Sequence, residues 1–180
     1  MYRIMIVDDE DNILNALRRL FVKATGWEIE TYNNAADALK RATTCPFDLF
    51  LSDFRMPEIN GVEFLTQAKE LQPDSMRFIL SGYTDLDALL GAINEANIFR
   101  FINKPWHDGE LISSIQQALE IRDVMMENRF LANEVREQRE ELERRKKALN
   151  SFRDEHPDLF KVAWGDDGSI IINAKDYEKE

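Results

Sequence analysis

The first 120 residues alternate between two hydrophobic periods, and few folds accept that alternation. Short runs rich in Ile, Val, Leu and Phe occur at Arg3–Val7, Glu28–Tyr32, Leu49–Ser52, Arg77–Leu80 and Arg100–Ile102. Amphipathic helical stretches separate them: Asp11–Ala24, Ala35–Ala42, Gly61–Leu71, Leu86–Ala96 and one beginning near Asp108. Strand–helix units in series predict an α/β fold, a parallel sheet with helices on both faces, because each crossover helix must pack back on the sheet. Ile4-Met5-Ile6-Val7 and Leu49-Phe50-Leu51 are apolar without interruption, as strands buried on both faces require. Asp11, Asn34 and Asp85 suit helix N-caps, and Gly26 and Pro73 stand where the first and third helices should stop.

Beyond Asp108 the period changes. From Glu110 to His156 there is no Gly or Pro, and a 3-4 spacing runs through Ile121, Val124, Asn128, Leu131, Val135, Gln138, Leu142, Arg145, Leu149 and Phe152. The order of the steps fixes the heptad phase. Ile121, Asn128, Val135, Leu142 and Leu149 are a positions, and Val124, Leu131, Gln138, Arg145 and Phe152 are d positions. β-Branched residues and one Asn at a favour a parallel homodimer through 121–152, with Glu134 and Glu141 at g facing Arg139 and Lys146 at e of the second chain. Gln138 and Arg145 at d weaken the seam, so pairing is expected to be modest or conditional. The alternative is one amphipathic helix folded back on its own domain. After Pro157, Phe160–Trp164 and Ser169–Ile172 flank Gly165-Asp166-Asp167-Gly168 and predict a short β-hairpin. The expected division is therefore 1–120, 121–152 and 153–180.

Charge and cysteine content narrow the function classes. The net charge is −11. Residues 1–120 carry 11 basic and 19 acidic side chains, 121–152 carry 8 and 7, and 153–180 carry 4 and 8. No segment offers the basic face that phosphate neutralisation needs, so direct nucleic-acid binding is not expected. No apolar run is long enough to span a bilayer, and no signal peptide is visible. Cys45 is the single cysteine, which excludes an intrachain disulfide and suits the cytoplasm. His107 and His156 have no metal-ligand spacing and are expected at the surface.

Ligands of doubly wound sheets gather at the C-terminal strand ends. Asp8 and Asp9 follow the first strand and Asp53 the third. If those strands are neighbours, three carboxylates converge, and a hard cation such as Mg²⁺ suits their oxygens. Ser81 ends the fourth strand with a hydroxyl that can bond a phosphoryl oxygen, and Lys104 ends the fifth with an ammonium. A carboxylate nucleophile, a divalent ion, a hydroxyl donor and a fixed cation together suit phosphoryl transfer to Asp53.

The strings carrying these residues are Ile6-Val7-Asp8-Asp9-Glu10, Ser52 through Gly61 (Ser-Asp-Phe-Arg-Met-Pro-Glu-Ile-Asn-Gly), Leu80-Ser81-Gly82-Tyr83 and Phe101-Ile102-Asn103-Lys104-Pro105-Trp106. In combination and order they resemble the receiver (CheY-like) domain of two-component response regulators over about residues 1–122. The resemblance implies the flavodoxin-like five-stranded sheet of order 2-1-3-4-5, and phosphorylation by a sensor histidine kinase, directly or through a phosphotransfer protein. By position it makes Asp53 the phosphoacceptor. It assigns Asp8, Asp9, Asp53 and the backbone carbonyl of Arg55 to Mg²⁺, with Asp9 favoured over Asp8 as direct ligand, and Ser81 and Lys104 to the phosphoryl group. It implies a cis Lys104–Pro105 peptide and makes Phe101 the aromatic switch residue, paired with Ser81. Phe101 stands where many relatives have Tyr, Ser81 where Thr is commoner and Asn60 where Asp is frequent. Arg55 and Tyr83 flank the expected path of attacking water and are expected to tune the phosphoryl lifetime.

No helix-turn-helix pattern follows Phe152 in this sequence, and if the chain is complete the 28 residues after it are too few for a cyclase, phosphodiesterase or ATPase domain. The expected output is therefore that of a dimeric adaptor with an unidentified downstream protein, and no separate enzyme activity. The alternatives are a regulatory fragment of a longer effector, such as a cyclic-dinucleotide phosphodiesterase or cyclase, and an Mg²⁺ phosphohydrolase. Arg55 opposes the last, because such enzymes place an acid two residues beyond the nucleophilic Asp.

Overall fold

The computed structural model describes residues 1–82, 96–157, 163–164 and 170–171. Five parallel strands, β1 (Arg3–Val7), β2 (Glu28–Tyr32), β3 (Leu49–Asp53), β4 (Met76–Ser81) and β5 (Arg100–Asn103), form one sheet of order β2-β1-β3-β4-β5. The order matches the expected doubly wound sheet. Helices α1 (Asp11–Ala24), α2 (Ala35–Ala42) and α3 (Gly61–Leu71) have the bounds expected from the sequence. Of the helix expected over Leu86–Ala96, only Ala96 is described; the Asp85 cap and Tyr83 also lie outside the described residues.

Alternation along each strand distributes its side chains to two cores. Met5, Val7, Phe50 and Ile79 pack with Ala38 of α2 and Phe64, Leu65 and Ala68 of α3. Ile4, Ile6, Leu49, Leu51, Phe78 and Leu80 face the other way, onto Leu17 and Phe21 of α1 and Leu111, Ile115 and Ala118 of α4 (Asp108–Glu155). All of these are almost fully buried, which explains why β1 and β3 show no polar alternation.

The caps differ in one place from expectation. Asn34 caps α2 by accepting a hydrogen bond from Asp37 N–H at 2.8 Å. Asp11, however, is the first residue of α1 and not its cap; Glu10 holds the extended cap conformation and makes no side-chain capping bond among the described residues. The neighbouring carboxylate of Asp8 takes the Glu10 N–H instead, at 2.9 Å. A capping box of Asn60 and Glu63 starts α3.

Helix α4 runs from Asp108 to Glu155. The chain divides into two compact units, Met1–Asn128 and Arg129–Glu180. In the first unit, Arg122 Nη1 pairs with Asp48 Oδ1 at 2.8 Å, Arg122 Nε donates to the Asp74 carbonyl at 2.9 Å, and Tyr2 Oη donates to Asp123 at 2.5 Å. These bonds tie α4 to the entrances of β1, β3 and β4. In the second unit, the d-position Arg145 bonds Glu141 of its own helix at 2.9 Å and Lys146 bonds Glu143 at 3.1 Å. The apolar a and d residues Leu131, Val135, Leu142, Leu149 and Phe152 are exposed. Strands β6 (Ala163–Trp164) and β7 (Ile170–Ile171) pair antiparallel, Trp164 with Ile170, inside the runs expected to form a hairpin. Among the described residues no helix is long and apolar enough to cross a membrane.

Candidate functional site

The sheet order sets β1, β3, β4 and β5 side by side, so their C-terminal ends form one edge. Asp8 follows β1, Asp53 closes β3, Ser81 closes β4 and Lys104 follows β5. Asp8, Asp53 and Ser81 are buried. The Lys104 ammonium joins the first two: its Nζ lies 2.8 Å from Asp8 Oδ2 and also pairs with Asp53 Oδ1. Burial pulls Lys104 toward neutrality, but its hydrogen bonds to Asp53 and Asp8 outweigh that and hold its pKa above the ordinary lysine value. Burial likewise raises the Asp8 carboxyl above its usual range, against the lowering by Lys104 and the Glu10 N–H.

The loop after β3 is built to hold Asp53. Its Oδ2 accepts the Arg55 N–H at 2.7 Å. Phe54 N–H donates to the Leu80 carbonyl at 2.9 Å, and Gly61 N–H returns to the Phe54 carbonyl at 3.0 Å. At Gly61 a Cβ would lie 2.0 Å from the Asp53 carbonyl oxygen, so only glycine fits this close approach. On the next strand, Ser81 Oγ is buried and has no hydrogen-bond partner among the described residues. An unpaired buried hydroxyl is costly; here it stands at the end of the strand paired with Asp53, where a ligand oxygen could satisfy it. The Lys104–Pro105 peptide is cis, as expected, and Lys104 N–H donates to the Ser81 carbonyl at 2.7 Å.

The remaining expected residues separate in position. Asp9 is exposed. Among the described residues no group of three His, Cys, Asp or Glu side chains is gathered as a metal cage; Asp8 and Asp53 share the lysine instead. The donor set still fits Mg²⁺, which keeps several waters and needs only a few hard oxygens. Phe101 is half-buried on β5, paired in register with Ile79 and packed against the core that includes Phe50 and Phe64. Cys45 is buried, and its Sγ accepts a hydrogen bond from Arg3 Nη1 at 2.7 Å. Arg77, not singled out from the sequence, buries its guanidinium and donates to the carbonyls of Ala96 at 2.9 Å and Ser75 at 2.6 Å.

Comparison with known proteins agrees with this geometry. The chain is 35% identical over 133 residues to the hydrogenase transcriptional regulatory protein HoxA of Cupriavidus necator, a match covering 74% of this chain and 27% of HoxA. It is 31% identical over 122 residues to the response regulator receiver protein CpdR of Brucella abortus, covering 66% of this chain and 98% of CpdR. The chain thus spans about a quarter of the length of the HoxA relatives it matches. Among solved structures, the signal receiver domain of an HD domain-containing protein from Pseudomonas fluorescens Pf-5 is 31% identical with a TM-score of 0.65, covering 68% of this chain and 98% of that one. A protein from Neptuniibacter caesariensis is 39% identical with a TM-score of 0.66, covering 71% and 93%. The family of response regulator receiver domains matches residues 4–116, the stretch that builds the sheet and all four strand ends. By that match, and by the sheet order it accompanies, this chain belongs to the response regulator receiver domain family of two-component systems.

Proposed function

We propose that Asp53 accepts a phosphoryl group from a sensor histidine kinase or a phosphotransfer protein, in a Mg²⁺-dependent reaction. An Asp53 carboxylate oxygen bonds to phosphorus as the donor's phosphorus–nitrogen bond breaks. The electron pair leaves with the donor imidazole, which takes up a proton. Lys104 is the fixed cation for the phosphoryl oxygens and Ser81 Oγ donates a hydrogen bond to one of them. Asp8, Asp9, Asp53 and the Arg55 carbonyl would hold Mg²⁺, which supplies further positive charge to the phosphoryl oxygens when bound. Phe101 responds to the movement of Ser81, and the change reaches α4.

The observation that carries this reading is the strand-end arrangement: one ammonium shared by Asp8 and Asp53, with a buried Ser81 hydroxyl on the strand beside Asp53 that has no partner among the described residues. A carboxylate already held by a backbone N–H and a lysine is oriented before its substrate arrives. On the output side, residues 121–152 pair as a parallel homodimer, 153–180 form a tail, and a further protein reads the switched state. The exposed a and d residues of α4 support the pairing, since such a stripe is stable only when covered. The single buried cysteine supports a cytoplasmic site of action.

Intact-mass measurement after incubation with phosphoramidate and Mg²⁺ tests the reading. One phosphoryl adduct is expected on the full chain, absent with excess chelator and absent in Asp53→Asn. An adduct of equal yield in Asp53→Asn would overturn it.

A further inference from the structure

Every residue of β3 is buried, yet its fourth carries a hydroxyl. Ser52 lies on the same face of the strand as Phe50, which packs with Phe64 and Leu65 of α3. It is fully buried, and a hydroxyl in such a place costs free energy unless it is hydrogen-bonded. Ser52 Oγ donates to the Asp53 carbonyl oxygen at 2.9 Å. We infer that Ser52 is a positioning residue for phosphoryl transfer, its hydroxyl locking the peptide plane that joins Asp53 to the loop behind it. The inference rests on the proposed role of Asp53 as phosphoacceptor.

That plane is anchored at both ends. Its C=O accepts from Ser52 Oγ, and its N–H, that of Phe54, donates to the Leu80 carbonyl at 2.9 Å. The same carbonyl oxygen is closed in by the start of α3, where a Cβ at Gly61 would lie 2.0 Å from it. A peptide unit is rigid, so the plane can turn only by changing ψ of Asp53 and φ of Phe54 together, and each of the two hydrogen bonds resists that turn.

Both ends bear on the site. The plane leads into Arg55, whose N–H holds Asp53 Oδ2 at 2.7 Å, so a turned plane would carry that N–H away from the carboxylate. Its other anchor, Leu80, precedes Ser81, the proposed donor to the phosphoryl group. Ser52 therefore acts on the nucleophile through the backbone and touches no reacting atom itself. In-line attack needs the carboxylate oxygen closely placed, and a small misplacement of a nucleophile slows a reaction out of proportion to the stability it costs. A Val or Ile here would suit a strand buried on both faces equally well, but it could not hold the Asp53 carbonyl.

The rate of phosphoryl uptake from phosphoramidate at saturating Mg²⁺, followed by intact mass on the full chain, is compared for the parent, Ser52→Ala, Ser52→Thr and Ser75→Ala. Ser75 is the control: it too is buried and its hydroxyl donates to a carbonyl, that of Gln72 at 2.7 Å, but it stands just before β4, at the other end of the sheet. Urea denaturation establishes which chains are folded. Amide exchange at Phe54, relative to Phe50 on the same strand, reads the plane with neither Mg²⁺ nor donor present. Ser52→Ala is expected to take up the phosphoryl group roughly three- to ten-fold more slowly than the parent, the effect of one hydrogen bond, with faster relative exchange at Phe54. Ser75→Ala keeps the parental rate and exchange ratio, and Ser52→Thr, which retains the hydroxyl, recovers much of the rate. Uptake by Ser52→Ala at the parental rate, equal slowing in Ser75→Ala, or slowing with no change at Phe54 would overturn the inference, as would a folded Ser52→Thr as slow as Ser52→Ala. A parent chain that takes up no phosphoryl group would overturn the proposed function itself, and this inference with it.

Discussion

Lys104 Nζ lies 2.8 Å from Asp8 Oδ2, although 96 residues separate the two in sequence and β3 and β4 lie between their strands. The same ammonium pairs with Asp53. One side chain thereby bridges two acids at the edge where a phosphoryl group would arrive, its single positive charge offsetting one of their two negative charges, and it does so because the sheet is wound in the order β2-β1-β3-β4-β5.

Replacing that lysine removes the cation and leaves a fully buried carboxylate. Lys104→Met is expected to cost roughly 1–3 kcal/mol at neutral pH without Mg²⁺, below the range for a fully enclosed pair because Lys104 keeps some contact with water. Urea denaturation of both proteins in chelator measures it, and the intact-mass assay should show the phosphoryl adduct reduced.

Ser81→Ala should do the opposite to stability. The hydroxyl it removes is buried without a partner among the described residues, so the free protein is expected to keep its stability or gain up to about 1 kcal/mol. The phosphorylated form should lose a hydrogen bond. Denaturation of the unphosphorylated protein beside adduct lifetime separates the two effects.

Gly61→Ala would force a methyl group into the Asp53 carbonyl oxygen. The expected loss is about 1–3 kcal/mol, as for other overpacked sites, with slower phosphoryl uptake because the loop carrying Asp53 must shift. Thermal denaturation and the rate of adduct formation report the two.

The pair Glu30–Arg41 gives a pH signature away from the site. Hydrogen bonds from the Arg41 guanidinium, at 2.9 Å, hold the Glu30 carboxyl below its ordinary range. A lowered pKa contributes stability that is present above the unfolded value and lost as pH falls through the folded one. Because both side chains keep contact with water, the contribution is small. Glu30→Gln should therefore be slightly less stable than the parent near neutrality, with the gap closing in acid; stability profiles of the two across that range test it.

Much of this was legible in the sequence because burial on both faces leaves a plain mark. The apolar runs located β1, β3 and β4, the regular alternation of strand and helix periods placed the only partly buried β2 and β5, and the breaks at Gly26 and Pro73 located two helix ends. Strand ends were read short. Asp53, Ser81 and Asn103 are polar, yet each still pairs in the sheet, Asp53 with Leu80 and Ser81 with Asn103; hydropathy fades one residue before the hydrogen bonding does. The acids, hydroxyl and lysine of the site could be placed at strand ends, but not the sharing of Lys104 by Asp8 and Asp53, which depends on side-chain reach across two strands. Gly61 stood in a recognised string without a reason until the Asp53 carbonyl was seen against it. Arg77 and Arg122 left no local signal, because their partners lie in other elements.

In the proposed function, a charge event at Asp53 is passed along α4 to assembly. Light scattering of the full chain, with and without Mg²⁺ and beryllofluoride and beside Asp53→Asn, tests it most directly. The account predicts a rise in mass toward a dimer, or a change in the dimer's shape, that requires the mimic and is absent in Asp53→Asn. An unchanged mass and shape, or a change that persists in Asp53→Asn, would contradict it.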